Sequence, residues 1–529
     1  MISRATVILV IGLVCMMLVA SCQERQVSAA DAELVLDSLE HKLEWLDYRL
    51  ALEGWRHHTQ GYSDSNWFYN RLYNHVVGDN RNFDILEKAK PYLTGEIDQR
   101  RYELLYGAVL LGRVESRPDI VHLRDSLSAL NIAYRAEFEG EPRHANFLYV
   151  TYRSDRNRVR REMAYRAWRA IGHESADGLQ RLIRLRNQQA GREGYNNYLA
   201  ATFKAQGIDS REYLDLLHRL DSLSSERYRI ILQVVRRKLS LSQLEIWDIA
   251  FGYADVNREV DWYFPVDSQL AYIKRSLMAL GYDLDKLPIY LDLESRPSKS
   301  QFAYAFAVKP PHDIRVLANL SGGLYSTRVL MHEIGHALHS SHVSESCPPF
   351  VRLLDGSWSE GVAQTFAALC EDSTWLEKYA HLPPELISRY LKARREQEII
   401  SLRLMLTRLM FEHQAYANSN ADLNKIYWDL FERYMQLPRH DEIKPWAAVS
   451  HYITHPGYLQ NHLFGTVVAA QTVAYLEKTY GGFTDRNTSG SFLTQNYLRF
   501  GSRYGWRELL LRGTGEDLNP QYLVSRLGM

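Results

Sequence analysis

Chemistry in this chain concentrates at His332-Glu333-Ile334-Gly335-His336. On an α-helix, residues four apart stand on one face, so His332 and His336 can grip one metal ion between two imidazoles. Glu333 is turned aside from that pair, close enough to reach a water on the metal without ligating it. Zinc takes nitrogen and oxygen donors in a tetrahedral arrangement, and a catalytic zinc keeps one position for water. A third donor has to come from a second helix. Glu360, in the segment SWSEGVAQTFAALCED and 28 residues after His332, is the candidate. Read alone, it is also a glutamate favoured by the dipole of its own helix N-terminus. Its neighbours Gly361, Ala363, Ala367 and Ala368 are small, which lets that helix lie close to the HEIGH helix. His339, one turn past His336, reads as a packed or supporting histidine. The expected cofactor is one zinc ion.

Those side chains need a scaffold, and the scaffold reads as mainly α. Leu36, Leu39, Leu43, Leu46 and Leu50 form one apolar stripe at steps of three and four. Leu179, Leu182, Ile183 and Leu185 repeat the habit, and similar runs fill 210–240 and 385–416. The Leu stripe lasts barely two heptads, so packing inside a helical domain is favoured over a coiled coil. Breaks are short: 61–65, Gly140-Glu141-Pro142, Pro383-Pro384, 438–445 and 481–490. Thr327–Ser340 has helical period. Only Gln301–Val308 and Ile314–Leu320 read as strands, a small sheet just before the HEIGH helix.

Lys plus Arg (63) balance Asp plus Glu (63), so no nucleic-acid partner is indicated. Arg4 precedes an apolar run, Val7–Ala20, that ends in Leu-Val-Ala-Ser-Cys22. This reads as a secretion signal, residues 1–21, and resembles a bacterial lipobox. Cys22 would then be the lipidated first residue, 22–32 a short tether, and 33–529 one helical unit held at the cell envelope, extracytoplasmic. Gln23 leans towards the outer membrane of a Gram-negative cell. Four cysteines include Cys15 and Cys22, which leaves Cys347 and Cys370 as two buried thiols rather than a disulfide framework. The sequence specifies no oligomeric state.

HEIGHALHSS followed by Glu360 resembles the gluzincin peptidases of the thimet oligopeptidase, oligopeptidase F and dipeptidyl carboxypeptidase group, with angiotensin-converting enzyme as a related fold. SEGVAQ is similar to their E-x-P-S-Q, with Gln364 at the matching place and the Pro-Ser pair missing. AGREGYNNYLA (190–200) and WDIAF (247–251) look like weaker landmarks. The similarity spans roughly 180–480, while 30–170 matches only in being helical. The resemblance implies two helical lobes, 33–230 and a zinc-bearing 231–529, flanking a central channel that admits oligopeptides. It also implies an oxyanion region at SHYITHPGYLQNHLFG (450–465). Tyr458 matches the family tyrosine, His451 fits the placing of a family histidine, and His455 competes for that role. A further tyrosine, expected three, four or seven positions later, is replaced by Asn461, His462 and Gly465, so His462 is a candidate donor. The lysine that reads a C-terminal carboxylate falls at Val449, with Lys444 the nearest substitute.

The expected activity is hydrolysis of short oligopeptides. Zinc on His332, His336 and Glu360 polarises the scissile carbonyl, Glu333 is the general base, and Tyr458, His451, His455 or His462 donates to the oxyanion. The strand Gln301–Val308 can pair with an extended substrate. Two other readings are a dipeptide-releasing carboxypeptidase and a lipid-anchored peptide-binding protein with a vestigial site; the intact Glu333 argues against the second.

Overall fold

A computed structural model describes residues 28–529; the signal segment, Cys22 and residues 22–27 of the tether lie outside them. The first helix, Ala29–Gln60, starts inside the span given to the tether. Ser28 and Asp31 cause this by forming a capping box, in which the Asp31 amide donates to Ser28 Oγ at 3.2 Å and the Ser28 amide to Asp31 Oδ2 at 3.0 Å. Leu36, Leu39, Leu43 and Leu46 of its stripe are buried. Together with Val77, Leu86, Tyr102, Leu105 and Val109 from the next helices, the first three form a small core. No described helix is long and apolar enough to cross a membrane.

A second, larger core takes apolar side chains from Val114 to Leu527. It crosses residue 230 through Leu220, Tyr228 and Ile231 of the helix Ser210–Lys238, so the two expected lobes share core at that point. The described chain is mainly helix, with two small sheets between residues 136 and 317. Cys347 and Cys370 are separate buried thiols.

The sheet before the HEIGH helix has three strands rather than two. Asp313–Leu317 is central, antiparallel to the edge strand Tyr304–Lys309 and parallel to Ile289–Asp292. Gln301–Ala303, read as strand, are not in it, and the second strand ends at Leu317 rather than Leu320. Gly140-Glu141-Pro142, read as a break, belongs to a hairpin in which Ala136–Phe138 pairs with Glu141–Arg143. The first helix leans on the edge strand: Gly54 lies against Phe306, where an added Cβ would come within 3.2 Å of the ring. His58 packs on Tyr304 with ring centroids 4.5 Å apart.

Candidate active site

The HEIGH helix runs Leu324–His342. Asp261 sets its start by accepting the Leu324 amide at 3.0 Å, and Gly323, with φ of 112°, packs so close to that carboxylate that a Cβ would clash. Leu330, Met331, Ile334, Ala337 and Leu338 are wholly buried, which turns His332 and His336 towards the opposite side. The Glu360 helix, Gly356–Ala367, is capped by Asp355 through the Trp358 amide at 3.0 Å.

Glycine decides how near these helices come. A Cβ on Gly335 would sit 2.8 Å from Ala363 Cα, and one on Gly465, in the helix Leu459–Tyr480, 2.7 Å from Glu360 Cβ. The Glu360 helix is thus held between two side-chainless contacts. Ala363 meets the HEIGH helix as expected, but Gly361 faces the other way, onto Val468.

The donor atoms of His332, His336 and Glu360 all lie within 4.8 Å of one another. His332 Nε2 is 3.2 Å from His336 Nε2 and 3.5 Å from Glu360 Oε2; His336 Nε2 is 3.9 Å from Glu360 Oε1. Burial, with the His336 charge adding to it, takes the His332 pKa down to about 3, and burial also lowers that of His336. Both imidazoles are therefore neutral, the form that ligates a metal. Burial alone would raise Glu360, but its hydrogen bond with His462 and the charge of that ring hold it well below the usual carboxylate range. Its Oε2 is buried, with His462 Nδ1 3.0 Å away. Two imidazole nitrogens and one ionised carboxylate, converging within 4.8 Å, fit a zinc ion. Glu333 stands beside them, and burial followed by the Glu360 charge pushes it up to about 8.

The segment 450–465 divides. Tyr458 Oη donates to Glu360 Oε1 at 3.1 Å, and burial with the Glu360 and Glu333 charges keeps the phenol protonated. His462 Nδ1 is 3.0 Å from Glu360 Oε2, and although burial opposes it, that carboxylate raises the His462 pKa. His451 stacks on Tyr458 at 6.2 Å and stays one layer back, its pKa lowered to about 4, first by burial. His455 lies edge-on to Tyr458, also at 6.2 Å, and its Nδ1 meets Thr454 Oγ1 at 2.9 Å. Asn461 accepts from Ser357 Oγ at 2.9 Å, and Gly465 has no space for any side chain, so only His462 of the three replaced positions reaches Glu360. His339 is fully buried with neither ring nitrogen bonded, a packed histidine.

Several positioning residues, all except Gln364, escape sequence reading. Ser359 Oγ bonds His336 Nδ1 at 2.8 Å and so orients the ligating nitrogen. Gln364 donates to the His462 carbonyl at 3.1 Å and accepts from Thr466 at 2.8 Å. Arg186, wholly buried and paired with Glu115 at 2.6 Å, donates to the carbonyls of Tyr452 and Ile453 at 3.0 and 2.7 Å. Glu412 accepts the Gly457 amide at 2.8 Å, and Gln206 and Gln460 both donate to the Gly457 carbonyl. A charged residue at 186 in the register of buried Leu179, Leu182 and Ile183 was the available signal. A cavity of about 300 Å³ adjoins Tyr458, lined also by Asp355, Ser357, Ser359, Asn461 and Gln206.

Residues 286–529 match the family model of Peptidase family M3. Thermostable carboxypeptidase 1 of Pyrococcus furiosus is 24% identical over 272 residues, 44% of this chain and 52% of that protein. Oligoendopeptidase F of Lactococcus lactis subsp. cremoris is 22% identical over 381 residues, 68% of this chain and 59% of that protein. The chain thus spans only about half to three-fifths of the length of these curated relatives. The solved structure of PZ peptidase A with an inhibitor superposes with a TM-score of 0.70 at 15% identity, covering 94% of this chain and 95% of that one. The mainly helical fold is therefore shared over nearly the whole length.

Proposed function

Because the chain belongs to peptidase family M3, whose members are metallopeptidases, we propose that it hydrolyses peptide bonds in short oligopeptides with one zinc ion held by His332, His336 and Glu360. The observation that carries this reading is the convergence of those three donors within 4.8 Å, with the half-buried Glu333 on the same helix as two of them. Zinc, when bound, supplies a Lewis acid and lowers the pKa of its water. Glu333 takes a proton from water and passes it to the leaving amine. Tyr458, held protonated, and His462 donate to the oxyanion that develops on the scissile carbonyl. His451 supports Tyr458 from behind. The edge strand Tyr304–Lys309 is paired on one side only within its sheet and offers its other edge to an extended peptide.

Zinc analysis of the purified protein, paired with mass spectrometry of peptide-library products, tests this reading. Glu333→Gln is expected to keep its zinc and lose about 10²–10⁴-fold in cleavage rate. Cleavage by that variant at the wild-type rate would overturn the mechanism. Attachment to a bacterial envelope through a lipidated Cys22 is a separate proposal, supported by the Val7–Ala20 run and the cysteine after it. Cys22→Ser should move the protein out of the membrane fraction, and an unchanged distribution would refute the anchor.

A further inference from the structure

The cavity of about 300 Å³ beside Tyr458 takes no part in the proposed reaction, although it reaches the metal donors from two sides. Ser359, in its wall, bonds His336 Nδ1 through Oγ at 2.8 Å, and Tyr458 Oη donates to Glu360 Oε1 at 3.1 Å. Its volume stands at the lower end for ligand pockets, room for one side chain rather than a whole peptide. A side chain standing in it would therefore belong to a residue next to the bond being cut. Much of the lining is already committed. Gln206 donates to the Gly457 carbonyl at 3.1 Å and accepts from Gln460 at 2.9 Å. Ser357 Oγ gives its proton to Asn461 Oδ1 at 2.9 Å.

Asp355 is the one charged side chain among the described residues of the wall. Its Oδ1 caps the Glu360 helix by accepting the Trp358 amide at 3.0 Å, and its carboxylate has no ion pair among the described residues. Arg100, the cation whose charge acts on it, is engaged by the Ser502 carbonyl at 2.7 Å and by Glu103 at 3.0 Å. Gly356 ties this carboxylate to the site. A Cβ there would come within 2.4 Å of Asn461 Nδ2 and 3.5 Å of Tyr458 Cε2, so the residue after Asp355 lies directly against the phenol ring. Burial raises the Asp355 pKa, and a cation brought against the carboxylate would offset the solvation it has lost. Ammonium and guanidinium groups only donate, and the hydroxyl oxygens of Ser357 and Ser359 supply further acceptors in the same wall.

We propose that this cavity is a cation subsite, in which Asp355 receives the ammonium or guanidinium group of a substrate residue beside the scissile bond. The group is either the side chain of Lys or Arg or the amino terminus of the peptide. The proposal rests on the peptidase reading and adds a specificity residue to it.

The test first reads, by mass spectrometry, the bond that the wild-type zinc protein cuts in a peptide library. One N-acetylated peptide is then made with Lys, norleucine or acetyl-lysine at each position flanking that bond. A norleucine peptide that begins one residue before the bond is made with a free and with an acetylated amine. At one flanking position Lys should exceed norleucine and acetyl-lysine by about 10–100-fold in kcat/KM, the worth of a charged hydrogen bond. The same advantage for the free amine alone assigns the subsite to the amino terminus. Asp355→Asn and Asp355→Ser both keep a capping oxygen for the helix, and each should bring the ratio close to one. Equal cleavage of all forms by the wild type, or a ratio left unchanged in either variant, overturns the proposal. Binding of the same peptides to Glu333→Gln protein keeps the two readings apart. Failure of the wild type to cleave any peptide sinks the peptidase reading, and the subsite then stands or falls on whether the cationic forms bind more tightly than their neutral counterparts.

Discussion

The two halves of the site are held in different ways. His332, His336 and Glu360 stand on two regular helices whose spacing is set by Gly335 and Gly465. Tyr458 and His451 stand on a short helix and turn, fixed from outside by Arg186, Glu412, Gln206 and Gln460. One half depends on helical period and close packing. The other depends on buried polar groups brought from helices as much as about 270 residues away in sequence. Damage to the first should show in the metal, and damage to the second in the placement of the oxyanion donors.

Arg186→Met should break this contrast most sharply. It leaves Glu115 with Arg124 at 3.4 Å as its remaining ion pair and two buried carbonyls without their donor, and the loss of one partner of a buried pair typically costs about 3–5 kcal/mol. Chemical denaturation should show that loss, with zinc still bound by the remaining folded protein. Zinc loss in step with stability would erase the distinction between the halves.

Glu412 makes the second half pH-sensitive. Burial pushes its pKa up to about 7, from an ordinary 4.5. The folded pKa lies above the unfolded one, so the stabilisation is complete below pH 4.5 and is lost as pH rises towards 7. The shift corresponds to about 3 kcal/mol. Glu412→Gln should therefore melt above the wild type at pH 8 and close to it at pH 4.5. Parallel melting curves at the two pH values would remove Glu412 from this role.

Gly465→Ala tests the metal half. The new methyl overlaps the Glu360 backbone, a strain of about 1–3 kcal/mol. Weaker zinc binding, read by competition with a chelator, is the expected result; unchanged affinity would mean the helices can part without moving Glu360. The smallest effect is assigned to Ser359→Ala, which frees the His336 ring from its 2.8 Å bond and should weaken zinc by about tenfold at the low end for such supporting contacts.

Legibility from sequence follows the same divide. The spacing of His332 and His336, the small residues around Glu360 and the apolar stripes are local patterns, and the structure brings the three expected donors together. Ile289–Asp292 went unread because four residues beside Pro288 make a strand only by pairing with Asp313–Leu317, which comes later in the chain. His455 and His451 look equivalent in sequence, and nothing local shows that one meets Tyr458 edge-on and the other stacked. Gly465 seemed a lost tyrosine and is in fact a contact that admits no side chain. A residue's role is readable where its neighbours are near in sequence, and hidden where a distant helix supplies them.

The glycine contacts have a mechanical consequence. Where Gly335 meets Ala363 and Gly465 meets Glu360, main chain bears on main chain. A side chain can hop between rotamers and let its helix slide; a backbone has no such freedom. The Glu360 helix is therefore clamped between two hard stops, and its distance to the histidines behaves as a stiff spring. The spacing of the donor triangle is thus set by contacts that no rotamer change can relax, unlike the turn at 450–458, which is held by side-chain hydrogen bonds.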